Sequence, residues 1–171
     1  SHILGFNGLN QELVEELRQR NILLVEDVCE SHGVMCGDKK AGTIGFASNF
    51  SFYYAHHMST IEGGMICTNN KEFYEVMRMY RSHGMIRECT DENYIEQMTS
   101  EYPDLHKEFI FAVPGFNMRS TELNAVIGLN QLKRLDYNIL RRRDNFEFFM
   151  ENLDSDKYFT GIPSNSSSFS C

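Results

Sequence analysis

Hydrophobic and polar positions along this chain follow the two patterns that are typical of helices and of buried strands. A helical spacing over residues 10–20 places Leu13, Val14 and Leu17 on one face. The continuous apolar run 22–25 ends in two acidic residues and predicts a strand buried on both faces. Because helices and strands alternate, we expect an α/β fold with its sites where strands end.

The central part of the chain continues this alternation. Residues 47–53 and 65–68 predict further strands, and two glycines before the second strand permit a turn at positive φ. A helix is predicted to open at residues 69–70 and to run to residue 81. Residues 86–110 are polar and weakly periodic, which indicates an excursion or a lid.

The last third predicts two helices, over residues 120–135 and about 137–153. The first carries one apolar stripe, formed by Leu123, Val126, Ile127, Leu129, Leu132 and Leu135. The Ser-rich residues 155–171 read as a linker or as the start of another domain. We therefore interpret the chain as an internal or truncated piece of a longer protein.

Composition narrows the possible partners and compartments. The formal charge of −8 argues against non-specific nucleic-acid binding, which needs Lys and Arg to neutralise phosphates. No apolar run approaches the roughly 18–20 residues of a membrane span, and no signal pattern opens the chain. Five cysteines without CxxC or CxC pairing indicate reduced thiols and a cytoplasmic protein.

Polar side chains near the predicted strand ends are candidates for binding a ligand. Asp27 ends a strand, where a carboxylate needs a cationic partner; a protonated pyridine nitrogen, a helix N-cap or a salt bridge would each suit it. Glu30 suits either a ring hydroxyl or a helix cap. Ser51 suits either a phosphate or a hydrogen bond inside the core.

Two adjacent histidines, His56 and His57, follow the strand predicted at residues 47–53. In an extended segment their side chains point to opposite sides, so one of them at most faces a given site. This arrangement, without an HxxxH spacing, argues against a shared metal ion. An acid–base role for one histidine is the alternative.

Several motifs then occur in the order and at the separations of a known family. They are Val25-Glu-Asp-Val-Cys-Glu-Ser-His-Gly33, Phe50-Ser-Phe-Tyr-Tyr-Ala-His-His57, Glu62-Gly-Gly64, Arg81-Ser-His-Gly84, Gly115-Phe-Asn-Met-Arg-Ser-Thr-Glu-Leu-Asn-Ala125 and Ile127-Gly-Leu-Asn-Gln-Leu-Lys-Arg-Leu135. Over about residues 1–155 the chain resembles the DegT/DnrJ/EryC1/StrS sugar aminotransferases. The resemblance implies the fold type I, aspartate-aminotransferase-like fold and pyridoxal phosphate (PLP) as cofactor.

The resemblance also implies a role for particular residues. Asp27 matches the aspartate that pairs with the pyridine nitrogen, and Glu30 matches the residue beside the ring hydroxyl. Ser51 matches a serine that contacts the cofactor phosphate. Asn117 matches an asparagine that reaches this phosphate from the neighbouring subunit of a homodimer. His56 stands in place of the lysine that normally bonds to the cofactor.

The histidine at position 56 sets the expected reaction. Imidazole forms no stable imine with pyridoxal, so the cofactor would be held noncovalently, as PLP or pyridoxamine phosphate (PMP). A histidine can still transfer protons near neutral pH. The resemblance is to the branch that makes 3-deoxy-4-keto sugars, such as the colitose precursor, from GDP-4-keto-6-deoxymannose. It implies a PLP/PMP-dependent sugar-nucleotide 3-dehydratase of deoxysugar and O-antigen biosynthesis, with L-glutamate as amino donor.

A sister branch uses an iron–sulfur cluster, whose cysteines would follow the segment 81–84. That region holds Cys89 without a CxC core, so we expect no cluster. His83 and Arg119 lie in family motifs and are candidates for the substrate diphosphate; a helix C-cap and a structural salt bridge are their other interpretations.

Two rival functions stay open at this point. One is a sugar-nucleotide 4-aminotransferase that takes its lysine from elsewhere, and the other is a catalytically silent scaffold of the same family. In either case the resemblance implies that residues 1–154 belong to the large cofactor-binding domain. Residues 155–171 would then begin the small C-terminal domain or a linker.

Overall fold

A computed structural model of the chain describes residues 1–159. They form two compact units, one of residues 1–67 with residues 122–159 and one of Thr68–Thr121. The helices and strands in chain order are α1 (Gln11–Gln19), β1 (Val25–Asp27), β2 (Met35–Cys36), β3 (Lys39–Lys40), β4 (Ala47–Ser51), β5 (Gly64–Thr68), α2 (Lys71–Arg81), α3 (Glu92–Glu101) and α4 (Glu122–Asn152). Single 3₁₀ turns lie at Ile3–Gly5, Ile86–Glu88 and Lys107–Phe109.

A three-stranded sheet with the order β1-β4-β5 positions the candidate residues. β1 runs parallel to β4, with Glu26 opposite Ser48 and Asp27 opposite Asn49. Successive side chains of a strand point to opposite faces, so Glu26 and Ser48 share one face while Asp27 and Asn49 share the other. β2 and β3 form a separate antiparallel ribbon.

The helix predicted from apolar periodicity over residues 10–20 and the helix predicted to open at residues 69–70 are both confirmed as α1 and α2. Asn10 caps α1 by accepting a hydrogen bond from the Leu13 amide at 2.7 Å. Asn70 caps α2 in the same way, accepting from the Phe73 amide at 2.8 Å. The predicted strands at residues 47–53 and 65–68 correspond to β4 and β5.

The first predicted strand is displaced, and its predicted burial is wrong. β1 covers Val25–Asp27 rather than residues 22–25, because its ladder with β4 begins at Val25. Within the described part of the chain β1 pairs with β4 alone, and Leu23 is 67% exposed.

The two helices predicted over residues 120–153 form one continuous helix, α4. No Gly or Pro stands at the expected break near Asp136, so nothing interrupts the helical hydrogen bonds there. The predicted apolar stripe is largely uncovered, and Leu123 is 76% exposed. Among residues 1–159 no helix is long and apolar enough to cross a membrane.

A short helix, α3, lies within the segment that was predicted to be an excursion or lid. Asp91 caps it by accepting hydrogen bonds from the amides of Asn93 and Tyr94. α3 contains few apolar residues, which explains why its sequence shows little apolar periodicity. The predicted linker 155–171 lies mostly outside the described residues, as does Cys171.

The carboxylate of Glu26 is almost completely buried beneath the sheet. It accepts hydrogen bonds from the amides of Gly42, Ile44 and Gly45 at 2.6–2.8 Å and faces His2 Nε2 at 3.2 Å. Burial alone would raise the pKa of Glu26, but these hydrogen bonds outweigh it and hold the pKa below its usual value. Glu26 therefore fixes the loop that leads into β4.

His32 is buried and packs against the end of β4. Its ring packs on Phe50, Phe52 and His57, with centroids 5.5–6.1 Å apart. Neither ring nitrogen of His32 has a hydrogen-bond partner among the described residues. Burial, together with the nearby His57 and His56, lowers the pKa of His32 to about 4, so the ring is neutral near pH 7.

We predict that Glu26→Gln destabilises the protein by about 3 kcal/mol, because a neutral amide offers one acceptor oxygen and turns an NH₂ group toward amide donors. Urea denaturation measures the loss. The same exchange at the exposed Glu15 is the control and should cost less than about 0.5 kcal/mol. Equal losses for the two variants would contradict a clamping role for Glu26.

We predict that His32 weakens the fold on acidification from about pH 6.5 to pH 4. In this window the unfolded chain binds a proton that native His32 excludes. The free energy of unfolding therefore decreases as the pH is lowered, by about 3 kcal/mol in total. Denaturant midpoints at several pH values, compared between the native protein and His32→Leu, measure the effect. A variant with the same pH dependence as the native protein would contradict it.

Candidate active site

A cavity of about 170 Å³ opens where β1 ends. Its walls contain three of the predicted site residues together with the start of the chain: Ser1, His2, Ile3, Asp27, Cys29, Glu30 and His56. A larger groove of about 410 Å³ along α4 is lined by three apolar and three polar side chains, with Lys133 as its one titratable residue. Acid–base chemistry therefore belongs to the smaller cavity.

Asp27 presents an ionised carboxylate to this cavity. Oδ1 accepts hydrogen bonds from Asn49 Nδ2 at 3.0 Å and from the Cys29 amide at 3.2 Å, and Oδ2 accepts from Ser1 Oγ at 3.2 Å. Partial burial alone would raise the pKa of Asp27, but the hydrogen bonds from Cys29, Asn49 and Ser1 outweigh it and lower the pKa. The half-buried anion is suited to a cationic partner.

Glu30 and His56 reach the cavity from different loops. Glu30 Oε2 accepts a hydrogen bond from the Leu4 amide at 2.9 Å, which fixes the side chain at the cavity wall. His56 follows a turn in which its amide donates to the carbonyl of Tyr53 at 3.1 Å. The rings of His56 and Tyr53 pack edge to face, 5.6 Å apart.

The two adjacent histidines have different surroundings, as the sequence predicted. His56 is half-buried and lines the cavity. His57 is only 3% exposed and packs on His32, with ring centroids 5.7 Å apart. His57 thus belongs to the packing beneath the loop, and His56 is the histidine available for chemistry.

Ser51 does not line the cavity, although it lies in the same unit. It ends β4, and its Oγ accepts a hydrogen bond from the Tyr53 amide at 3.2 Å. The hydroxyl therefore shapes the turn that leads to His56. A contact between Ser51 and a cofactor phosphate stays a prediction.

Asn117, His83 and Arg119 lie in the other unit, and each is described there by itself. Asn117 forms an isolated antiparallel bridge with Ser82, and the His83 amide donates to the carbonyl of Phe116 at 2.7 Å. Gly84 next to His83 has φ +79°, and a Cβ there would lie 1.7 Å from the carbonyl oxygen of Val113. The close approach of the two backbone segments at Gly84 and Val113 therefore requires glycine. The side chains of Asn117 and Arg119 are exposed.

Asn49 and Cys29 were not predicted, although both contact Asp27. Asn49 Nδ2 lies 3.0 Å from Cys29 Sγ as well as from Asp27. Burial and the neighbouring Asp27 raise the pKa of the Cys29 thiol to about 11. Cys29 stood within a recognised motif, whereas the role of Asn49 depends on the pairing of β1 with β4, which the sequence does not display.

The donors and acceptors of the cavity fit the ring end of a pyridoxal cofactor. The ionised Asp27 is the acceptor that a protonated pyridine nitrogen needs, and Glu30 supplies a carboxylate for a ring hydroxyl. None of the seven residues around the cavity is a lysine. Among residues 1–159 no cluster of three or more His, Cys, Asp or Glu side chains is arranged to hold a metal ion.

Known proteins are similar to this chain in both sequence and fold. The chain is 36% identical over 157 residues to a GDP-4-keto-6-deoxy-D-mannose 3-dehydratase of Escherichia coli O55:H7, covering 92% of this chain and 40% of that enzyme. A GDP-4-keto-6-deoxy-D-mannose 3-dehydratase of Yersinia pseudotuberculosis is 37% identical over 139 residues, covering 81% and 35%. A GDP-perosamine synthase of Escherichia coli O157:H7 is 30% identical over 154 residues, covering 90% and 37%. The chain thus spans two fifths or less of these relatives.

Solved structures confirm the predicted aspartate-aminotransferase-like α/β fold. The E. coli GDP-4-keto-6-deoxy-D-mannose-3-dehydratase with bound hydrated PLP is 35% identical, with a TM-score of 0.73 over 88% of this chain and 38% of that one. The same score is found for a GDP-4-keto-6-deoxymannose-3-dehydratase with a trapped PLP-glutamate geminal diamine, which is 35% identical and covers 86% and 38%. The sequence model of the DegT/DnrJ/EryC1/StrS aminotransferase family matches residues 2–169. The chain therefore belongs to the DegT/DnrJ/EryC1/StrS aminotransferase family.

Proposed function

We propose that the protein removes the C3 hydroxyl from a nucleotide-linked 4-keto-6-deoxy sugar, as a PLP/PMP-dependent 3-dehydratase of deoxysugar and O-antigen biosynthesis. The observation that carries this proposal is His56, which shares a cavity with the ionised Asp27 while no lysine lines that cavity. The two 3-dehydratases at 36–37% identity support it. The pyridoxamine form of the cofactor would supply an amine for the sugar carbonyl and a ring that accepts electron density.

Asp27 and Glu30 would hold the ring in the cavity. Asp27 keeps a proton on the pyridine nitrogen, because an ionised, half-buried carboxylate strongly favours a cation at hydrogen-bond distance. Glu30, fixed by the Leu4 amide, faces the ring hydroxyl. Neither contact is a covalent bond, so these side chains carry the orientation that a lysine provides in an aminotransferase.

His56 would move the proton that starts the elimination. An imidazole nitrogen of His56 would take the proton from C4′ of the cofactor and would pass a proton to the C3 hydroxyl of the sugar, which would leave as water. The histidine side chain is shorter than that of lysine and does not return a proton to the sugar C4, a step that would complete a transamination. The overall exchange converts one sugar and one glutamate into one 3-deoxy sugar, one 2-oxoglutarate and one ammonia.

L-Glutamate is proposed as the amino donor, supported by the solved relative that holds PLP and glutamate together. A homodimer with shared active sites and a cytoplasmic location are parts of the same proposal. It also includes binding of the cofactor phosphate by Ser51 and Asn117 and binding of the substrate diphosphate by His83 and Arg119. The free thiols of Cys29, Cys36, Cys67 and Cys89 are consistent with a reducing compartment.

Product analysis tests the reaction. The purified protein is incubated with PLP, glutamate and a panel of 4-keto-6-deoxy sugar nucleotides, and products are identified by mass spectrometry while ammonia is measured. We predict loss of the C3 oxygen with about one ammonia released per sugar, as the atom balance of an elimination requires. A 4-amino sugar formed without ammonia would establish the 4-aminotransferase instead, a reaction type that the GDP-perosamine synthase relative makes the main rival.

The role of His56 is tested by His56→Asn. We predict a fall in the rate of 3-deoxy sugar formation of about 10²–10⁴-fold, because asparagine preserves polarity and approximate size but transfers no proton. Binding of pyridoxamine phosphate, followed by absorbance or calorimetry, should change little. A variant that retains the full rate would exclude His56 as the acid–base group.

A further inference from the structure

The carboxylate of Asp27 is held by a neighbour on the adjacent strand. Asp27 and Asn49 are partners in the parallel ladder of β1 and β4, so their side chains leave the same face of the sheet side by side. Asn49 Nδ2 donates a hydrogen bond to Asp27 Oδ1 at 3.0 Å. Because two paired strands carry these residues, the contact is fixed by the backbone of the sheet.

The two oxygens of Asp27 have unequal surroundings. Oδ1 accepts from Asn49 Nδ2 and also from the Cys29 amide at 3.2 Å, which accounts for both of its lone pairs. Oδ2 accepts a hydrogen bond from Ser1 Oγ at 3.2 Å. Oδ2 is therefore the oxygen with capacity for one more donor in the cavity.

Cys29 completes the arrangement around Asn49. Its Sγ lies 3.0 Å from Asn49 Nδ2, so one amide group contacts both Asp27 and Cys29. Burial and Asp27 raise the pKa of the thiol to about 11, and Cys29 thus stays neutral near pH 7. A neutral thiol adds no second negative charge beside Asp27.

Building on the proposed function, we propose that Asn49 is a positioning residue for the cofactor. By holding Oδ1, Asn49 sets the rotation of the Asp27 carboxylate and directs Oδ2 toward the pyridine nitrogen. Asn49 itself touches no reacting atom. Its contribution is therefore specific to ligands that carry a protonated ring nitrogen, which separates this role from a general effect on the fold.

Two cofactor analogues test the proposal by equilibrium binding. The dissociation constants of PLP and of 1-deaza-PLP, which has a CH group in place of the ring nitrogen, are measured with the native protein, Asn49→Leu and Asp27→Asn. We expect the native protein to prefer PLP, Asp27→Asn to lose most of this preference, and Asn49→Leu to reduce it by about tenfold, the scale of one charge-assisted hydrogen bond. Asn145→Leu, the same exchange at an exposed position of α4, should keep the native ratio.

The binding ratios distinguish the positioning role of Asn49 from the proposed function. If Asn49→Leu weakens both ligands equally or leaves the ratio unchanged while the native protein prefers PLP, the positioning role is wrong and the proposed function stands. If the native protein binds neither ligand, the proposed function and the positioning role both fail. Should Asn49→Leu not fold, Asn49→Val is measured in its place, because a β-branched side chain suits a strand and also lacks the amide donor.

Discussion

The candidate site depends on the parallel pairing of β1 with β4. This register places Glu26 on one face of the sheet, where three backbone amides bind its carboxylate, and Asp27 on the other face, beside Asn49. A shift of one residue would exchange the faces, leaving Glu26 without its amides and removing Asp27 from the cavity. The same pairing thus stabilises the loop before β4 and orients the acid at the cavity.

Under the proposed function the cofactor is attached noncovalently, which would make the orientation of Asp27 more consequential than in a lysine-bearing aminotransferase. A covalent bond would fix the cofactor even if the carboxylate rotated, whereas in the proposed site hydrogen bonds alone would hold the ring. Three donors on a single half-buried carboxylate are consistent with this demand. Behind the loop, the neutral His32 packs against the buried His57.

Local signals in the sequence were sufficient for several of the elements and for part of the site. Apolar periodicity located α1, and the asparagines at residues 69–70 located the start of α2, since a periodic face and a cap are each encoded within one turn or two. Motif separation identified Asp27, Glu30 and His56, which the structure brings to one cavity. The burial expected for residues 22–25 failed because burial depends on which elements cover a strand, and in the described residues β1 has one neighbouring strand.

Contacts between distant residues account for what the sequence did not reveal. Asn49 lies 22 positions from Asp27, and its function follows from strand register rather than from any neighbouring residue. The continuity of α4 was missed because the predicted apolar stripe ends at Leu135, whereas a helix break requires residues such as Gly or Pro. α3 was missed because it contains few apolar residues and so has only a weak apolar face to recognise.

The absence of a covalent link to lysine is the central claim, and borohydride reduction tests it most directly. The protein is saturated with PLP, reduced, denatured and weighed by mass spectrometry. We predict that the denatured chain carries no stoichiometric cofactor adduct, because the histidine at the cavity forms no reducible imine. One reduced cofactor per chain, mapped to a single lysine, would contradict the claim.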